Sequence, residues 1–406
     1  MKRSLVWSTV SALVVLAFAP NAWAIPAFSR ATGAVCSVCH IVFPELTEAG
    51  EIFKYNGYRF DSAVGQSWAW GDLENFVTKG APIAIRSTVY YSMVNDNSLT
   101  PAPTDSQPNK RIANSFLPAA ATILVAGNVQ SHISMWLDHD FGSSDSANEA
   151  YARFNGLGTN WTNVKFGSFE LDIPFSIAKT HNVFDYLVYD MADASGNLNP
   201  FSFGEPQLGV EMEGYSQVFR YSLAAVNGSN NTTDNDSWKS AYGSVFVGPY
   251  KARVGAYGYI GTAGIGPNSG GLANSFRTDH HHIWAIDADT HLGHWRWYGL
   301  YQFGYDQLGI AANNSLNAFR YNGGFLQGEY NWDRIHTQFG VRYDYVRSND
   351  LVNLGVWSKK YQDAITPQII ALLRMDVAWK TALQFLRAPD GTHVRTFQTG
   401  IDWAIY

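Results

Sequence analysis

Charge is scarce in this chain. Only 15% of its 406 residues are Asp, Glu, Lys or Arg, against roughly 25% in an ordinary soluble domain, which argues against a standard cytosolic globule. Long apolar runs are scarce as well. Leu5 to Ala19 is the one stretch of note, and no second segment approaches the roughly 18 apolar residues that a membrane helix requires, so a helical membrane bundle is excluded. Lys and Arg total 28 against 34 acids, a formal charge of -6, which leaves no basic footprint for nucleic acid. Cysteine is almost absent, with two in the whole chain. What is abundant is aromatic and small: 14 Trp, 22 Tyr, 24 Phe and 36 Gly. That aromatic content excludes disorder. With a mean hydropathy of only -0.15, it is spread among polar residues rather than gathered into greasy blocks.

Residues 1–24 read as a secretory leader. Lys2 and Arg3 supply the basic start, Leu5 to Ala19 the apolar centre, and Ala22-Trp23-Ala24 the small residues at the cleavage positions. Cleavage after Ala24 predicts an exported mature chain. Loss of two basic residues and no acids takes the formal charge from -6 to -8.

Both cysteines fall within five residues, Cys36-Ser37-Val38-Cys39-His40, a CxxCH. The pattern is that of c-type haem attachment. Two thiols one helical turn apart add to the haem vinyl groups, and the histidine that follows is carried beneath the ring to bind iron. Export agrees with this, since attachment is made outside the cytoplasm, and no βαβ pattern surrounds the motif as it would a thioredoxin-like CxxC. The alternatives are a structural disulfide, which gives His40 no role, and a zinc site, which lacks its fourth ligand locally. The expected cofactor is one covalent haem c on Cys36 and Cys39, with His40 as proximal iron ligand. Downstream, residues 44–57 read as one helix, opened by Pro44, acidic in its first turn and closed by Asn56-Gly57. Leu46, Ala49 and Phe53 share a face, enough to cover a haem edge but too little for an independent core. The module of residues 25–80 therefore needs a shelter.

From about residue 81 the hydrophobic period becomes two. In His294 to Asp306, Trp295, Trp297, Tyr301, Phe303 and Tyr305 alternate with a mostly polar set, and Arg334 to Val346 repeats the pattern. Strands of this length with outward aromatics predict a transmembrane β-barrel over residues 81–406; a soluble sandwich uses shorter strands. Short turns at 248–249, 292–293, 332–333 and near 379–380 alternate with long polar connections at 94–120, 262–279, 307–318 and 348–365, as periplasmic turns and extracellular loops do. Sixteen candidate strands run from 83–93 to 393–405, among them 122–138, 149–155 and 181–190; without the last two the count is fourteen. The fold class is thus an all-β transmembrane barrel of about sixteen antiparallel strands with a small helical module plugging it, in the bacterial outer membrane with lipid around it.

The two halves together resemble the fused monohaem cytochrome–porin proteins of the outer membrane, including the iron-oxidising outer-membrane cytochromes of Fe(II)-oxidising bacteria. The likeness is carried by Ile25-Pro26-Ala27-Phe28-Ser29-Arg30 ahead of Cys36 to His40, then Phe43-Pro44-Glu45-Leu46 and Phe53-Lys54-Tyr55-Asn56-Gly57-Tyr58, about 35 residues in all. The barrel region resembles the family in architecture and length only. The resemblance implies a haem module lodged in the barrel that takes electrons from extracellular Fe(II) and delivers them to a periplasmic c-type cytochrome. If this is catalysis, it is Fe(II):cytochrome c oxidoreductase chemistry. Related exported cytochromes with other donors share the motif.

Between residues 25 and 80 there is no His besides His40 and no Met, so any sixth iron ligand comes from elsewhere. By alternation Met93, Met135, Met212 and Met375 point to lipid, leaving Met191. His132, on the polar face about halfway along 122–138, is the first candidate, since His is a common haem ligand; the alternative is a plain lumen-lining residue. His336, His294, the amine of Ile25 after cleavage, or an open five-coordinate iron are further options. His280-His281-His282 suggests a metal site, but alternation sends His281 one way and its neighbours the other. Asp138-His139-Asp140 reads as a solvated periplasmic turn, and 227–233 as an extracellular loop. Lumen acids such as Asp287, Asp289 and Asp344 would attract cations or simply hydrate a channel. Two rival functions share the same features: a porin with a structural or sensory haem plug, and a haem enzyme, for which no distal acid-base groups are found. Electron flow in the reverse direction is also open.

Overall fold

The computed structural model describes residues 34, 36–41, 45–58, 83–96, 112–130, 132–141, 149–157, 162–176, 179–180, 182–193, 204–230, 238–265, 277–312, 315–374 and 377–405. The expected leader, 1–24, lies outside them. Sixteen antiparallel strands close into one barrel among the described residues. They are β1 (Ile83–Asp96), β2 (Ile112–Gln130), β3 (Ile133–Phe141), β4 (Ala150–Phe154), β5 (Asn163–Phe169), β6 (Gln207–Tyr215), β7 (Phe219–Asn230) and β8 (Ser240–Val247). The second half comprises β9 (Ala252–Ile265), β10 (Arg277–Leu292), β11 (Trp295–Ala312), β12 (Ser315–Trp332), β13 (Thr337–Arg347), β14 (Tyr361–Arg374), β15 (Val377–Arg387) and β16 (His393–Ile405). Each strand pairs with its neighbour in the chain, and β1 pairs with β16, Val89 opposite Ile401. Closure leaves no unpaired sheet edge.

Side chains alternate as the period-two pattern requires. On β11, Trp295, Trp297, Tyr301 and Phe303 are exposed on the outside, while Arg296, Tyr298, Leu300, Gln302 and Asp306 are buried toward the lumen. Exposed Trp284, Ile286, Leu326, Val341 and Ile365 continue the outer belt. An apolar exterior over a closed barrel with a polar interior is the design of an outer-membrane barrel. Short turns gather at one end with both termini of the sheet, which makes that end periplasmic.

The strand count agrees with expectation, but by two compensating differences. The expected strand 122–138 is two strands: Gln130 pairs with Ile133 across a tight turn. The expected strand 181–190 is not one; the helix α3 (Leu187–Asp193) occupies its end. Asp138, His139 and Asp140 lie within β3 rather than in a turn. The connection expected at 307–318 is mostly strand, since β11 runs to Ala312 and β12 starts at Ser315. Trp379 and Lys380 sit inside β15. Asn227 to Asn230 belong to β7.

The described residues between β5 and β6, 171–176 and 182–193 foremost, turn back into the barrel. Leu171, Ile173, Phe175, Tyr186, Val188 and Met191 pack in one buried cluster with Tyr257, Tyr259, Tyr298 and Phe325 of the wall. Backbone groups so buried need partners, and the wall supplies them. Arg342 donates to the Phe184 and Asp185 carbonyls at 2.9 and 2.6 Å, and Gln302 to that of Val188 at 3.2 Å.

Candidate functional site

The CxxCH forms a single helical turn, α1 (Cys36–Cys39). A second helix, α2 (Glu48–Tyr55), follows. The sequence pattern puts the start of this helix at Pro44; it begins four residues later because Thr47 is its N-cap, its side chain accepting the Gly50 N–H at 3.1 Å. The same hydroxyl donates to the Val38 carbonyl of α1 at 2.5 Å, so one threonine ties the two helices. His40 pairs with Leu46 in an antiparallel bridge. Gly50 permits the close approach: a Cβ there would lie 2.1 Å from the Cys39 carbonyl oxygen. At the far end Gly57 and Tyr58 adopt positive φ, 73° and 61°, and the Tyr58 N–H returns to the Phe53 carbonyl at 2.9 Å, ending the helix.

Charged residues of the barrel clamp this segment across the periplasmic mouth. Arg296 on β11 donates to Glu45 at 2.6 Å and holds Asp289 of β10 through Nε and Nη2 at 3.0 and 2.9 Å. Arg253 on β9 shares Asp289 at 3.0 Å and grips Glu51 at 2.7 and 2.9 Å. The chain Glu45, Arg296, Asp289, Arg253, Glu51 therefore begins and ends on the helical segment, with the wall at its centre. Gln338 adds a bond to Glu45 at 3.2 Å, and the Tyr250 hydroxyl one to the Leu46 carbonyl at 2.9 Å. At the other end Arg153, 1% exposed, donates to the carbonyls of Lys54 and Tyr55 while paired with Glu213 at 2.8 Å. Charges out of water are costly unless paired and hydrogen-bonded, and these are.

The helical segment and the inward connection meet at Asp172. Its carboxylate accepts from Tyr55 at 3.0 Å and Lys179 at 2.8 Å and faces Arg220 at 3.4 Å. Burial opposes its ionisation, but Arg220 and Lys179 hold it well below the usual carboxylate range. Tyr55 stacks on Tyr215 with ring centroids 5.5 Å apart, and Tyr58 bonds Tyr151 through the hydroxyls at 2.7 Å.

The donor set fits a c-type haem. One helical turn brackets the two cysteines, and His40 follows directly. His132 departs from its expected place. It is exposed in the turn between β2 and β3 at the periplasmic rim, its carbonyl accepting the Asn155 N–H at 2.7 Å, and does not point into the lumen from mid-strand. The unrecognised turn moves it. His294 and His336 lie at that rim as expected, both exposed; His294 faces Asp333 at 3.2 Å. Met93 and Met212 are exposed on the outer face, Met191 is buried in the lumen cluster, and Met375 and Ile25 lie outside the described residues. His281 faces inward and His280 and His282 outward; no three-residue metal-binding group occurs among the described residues. Asp289 and Asp344 are held by arginines, Asp344 by Arg342 at 2.7 Å, so they are not an open cation lining. Asp287 is buried with neither carboxylate oxygen hydrogen-bonded among the described residues.

Sequence reasoning missed His291, which stacks on Tyr250 at 4.5 Å and faces Asp289 at 3.5 Å. It missed the clamp as well. Only the inward parity of Arg253, Asp289 and Arg296 on their strands signalled a role for them.

No family model and no curated protein matches the sequence. Solved structures match the fold. The outer membrane channel DcaP of Acinetobacter baumannii is 11% identical with a TM-score of 0.52, over 80% of this chain and 97% of that one. Pseudomonas putida OprB is 11% identical with a TM-score of 0.55, over 83% and 97%. Salmonella typhi OmpF in complex with daunomycin is 9% identical with a TM-score of 0.53, over 80% and 97%. At such identities the likeness carries the fold alone. The chain is an outer-membrane β-barrel of porin architecture.

Proposed function

We propose that this barrel is an outer-membrane electron-transfer protein. It takes electrons from an extracellular donor, Fe(II) foremost, and passes them to a periplasmic c-type cytochrome, with one haem c on Cys36, Cys39 and His40 as its redox group. The observation that carries this reading is the clamp of Glu45, Arg296, Asp289, Arg253 and Glu51, which fixes the segment directly after the CxxCH inside the periplasmic mouth. When attached, haem c supplies one-electron redox chemistry at a single iron. The chain's part is placement. Thr47 and Gly50 set α2 against the cysteine turn, His40 supplies the proximal nitrogen, and the wall arginines hold the segment where a partner from the periplasm reaches it. Because the apolar band of such a barrel is about 25 Å tall, seating the motif within the mouth shortens the distance to the outside. The sixth iron position is not assigned to His132, whose place at the rim removes the reason for choosing it.

The test is haem staining of the denatured protein with transfer to an oxidised periplasmic cytochrome. The wild type is expected to stain and to transfer, and a C36A/C39A variant to do neither while its barrel assembles. Absence of covalent haem in the wild type sinks the reading. A second reading, a solute-conducting porin whose haem serves another partner or a structural role, draws on the porin architecture and on the inward connection at 170–206, and predicts steady conductance in planar bilayers.

A further inference from the structure

Beside the cysteine turn the wall carries a charged group with no part in the clamp. Ile41, the residue after the proximal histidine, packs against Ile370 of β14 and Ala378 of β15. Two residues on, along the same lumen face, stands Lys380, 2% exposed. Its ammonium donates to Asp402 Oδ2 at 2.8 Å. Asp402 also takes a two-pronged bond from Arg86 of β1, at 3.0 and 2.7 Å. Two cations thus meet one carboxylate where the first and last strands of the barrel close. The lumen-facing neighbours Ala84, Ala378, Ala382 and Ala404 are all buried alanines, which bring no polar side chain to the ammonium.

A seam between β1 and β16 is already made by Arg86 and Asp402. Lys380, on β15, is surplus to it, and an ammonium carries three donors that burial makes expensive to leave unmatched. We propose that Lys380, with Arg86 beside it, binds the propionate carboxylates of the haem. The inference rests on haem attachment at Cys36 and Cys39. Propionates are the anionic side groups of the haem, on the macrocycle edge away from the thioether-bonded vinyls, and Lys380 stands two residues along β15 from the wall contact of Ile41 rather than against the cysteines themselves. Lysine and arginine are the side chains that meet a carboxylate with charge-assisted hydrogen bonds.

The experiment uses the full-length, haem-loaded protein in detergent. Lys380→Met is compared with wild type by haem staining, by heat-modifiable migration of the barrel, and by spectroelectrochemical titration over pH. With stain and migration unchanged, the midpoint potential is expected to fall, since loss of a nearby cation favours the more positive oxidised iron. The propionate-linked inflection in its pH dependence is expected to move upward, and Lys380→Arg to restore both. An unchanged potential, or a fall without movement of the inflection, overturns the proposal. If Lys380→Met does not assemble, Asp402→Asn serves instead. It removes the competing carboxylate, so the potential should rise and the inflection move downward, and no change overturns the proposal. Wild-type protein without covalent haem fails the underlying reading at the staining step, before any variant is compared.

Discussion

Arg296 serves both the wall and the helical segment, donating to Glu45 at 2.6 Å and to Asp289 at 2.9 Å. Removing one member of such a buried group strands the others, at a cost of about 3–5 kcal/mol. Arg296→Met is therefore expected to loosen residues 45–58 while the sheet remains closed. Limited proteolysis should open that segment with heat-modifiable migration of the barrel unchanged. A second residue-scale effect is a response to pH. Glu149 and Glu170, just outside β4 and β5, are linked by a bond from the Glu170 N–H to the Glu149 carboxylate at 2.7 Å. Burial foremost, then mutual and neighbouring carboxylate charge, pushes Glu149 up to about 8. Burial likewise pushes Glu170 up to about 7, against the pull of Lys179 and Lys54. Groups raised in the folded state bind more protons there than when unfolded between their ordinary value near 4.5 and those raised ones. Stability thus falls as pH rises through that window. The thermal midpoint is expected to be higher at pH 5 than at pH 8, and Glu149→Gln to flatten the dependence; a midpoint that rises with pH contradicts the assignment.

At the scale of elements, α2 is held to α1 by a cap and a close approach. Thr47→Ala should cost about 1 kcal/mol of helix stability. Gly50→Ala should cost more, because its new Cβ meets the Cys39 carbonyl at 2.1 Å, so the yield of covalent haem should fall in the order wild type, Thr47→Ala, Gly50→Ala. A yield that is equal in all three shows that the contact does not matter for attachment. The elements also show what a sequence makes visible. Trp295 to Asp306 and Thr337 to Arg347 were legible as strands because one face meets lipid and the other the lumen, which forces alternation. The β2–β3 hairpin was not, since the register shift between Asn128 and Gln130 keeps the inward residues of both strands at even positions, Ala126 and Ser134 among them, and the chain between Gln130 and Ile133 contains neither Gly nor Pro. That hidden turn is also why His132 was misplaced. Residues 181–190 misled because a segment buried inside the barrel is apolar for the same reason as a strand, and only its packing partners distinguish them. Glu45 and Glu51 gave no hint of Arg296 and Arg253, which lie more than 200 residues away along the chain.

At the scale of the whole molecule, two segments enter the barrel, one from each end. Residues 171–175 and 186–192 pack against β9 to β13, and α2 crosses the mouth beneath them, the two segments joined at Asp172. Acids that would line an open channel, Asp289 and Asp344, are instead spent on arginines that position these segments. The architecture is that of a porin, with its interior occupied by two segments of the same chain. Deletion of residues 182–193 should therefore raise single-channel conductance in planar bilayers; equal conductance would show that the inward connection does not limit passage. The proposed redox group in this interior, fed from outside, can be watched by mixing the purified, oxidised protein with Fe(II) in the absence of oxygen. Rapid appearance of reduced c-type absorption bands is expected in the wild type and none in C36A/C39A. Bands that dithionite brings up and Fe(II) does not would contradict that expectation.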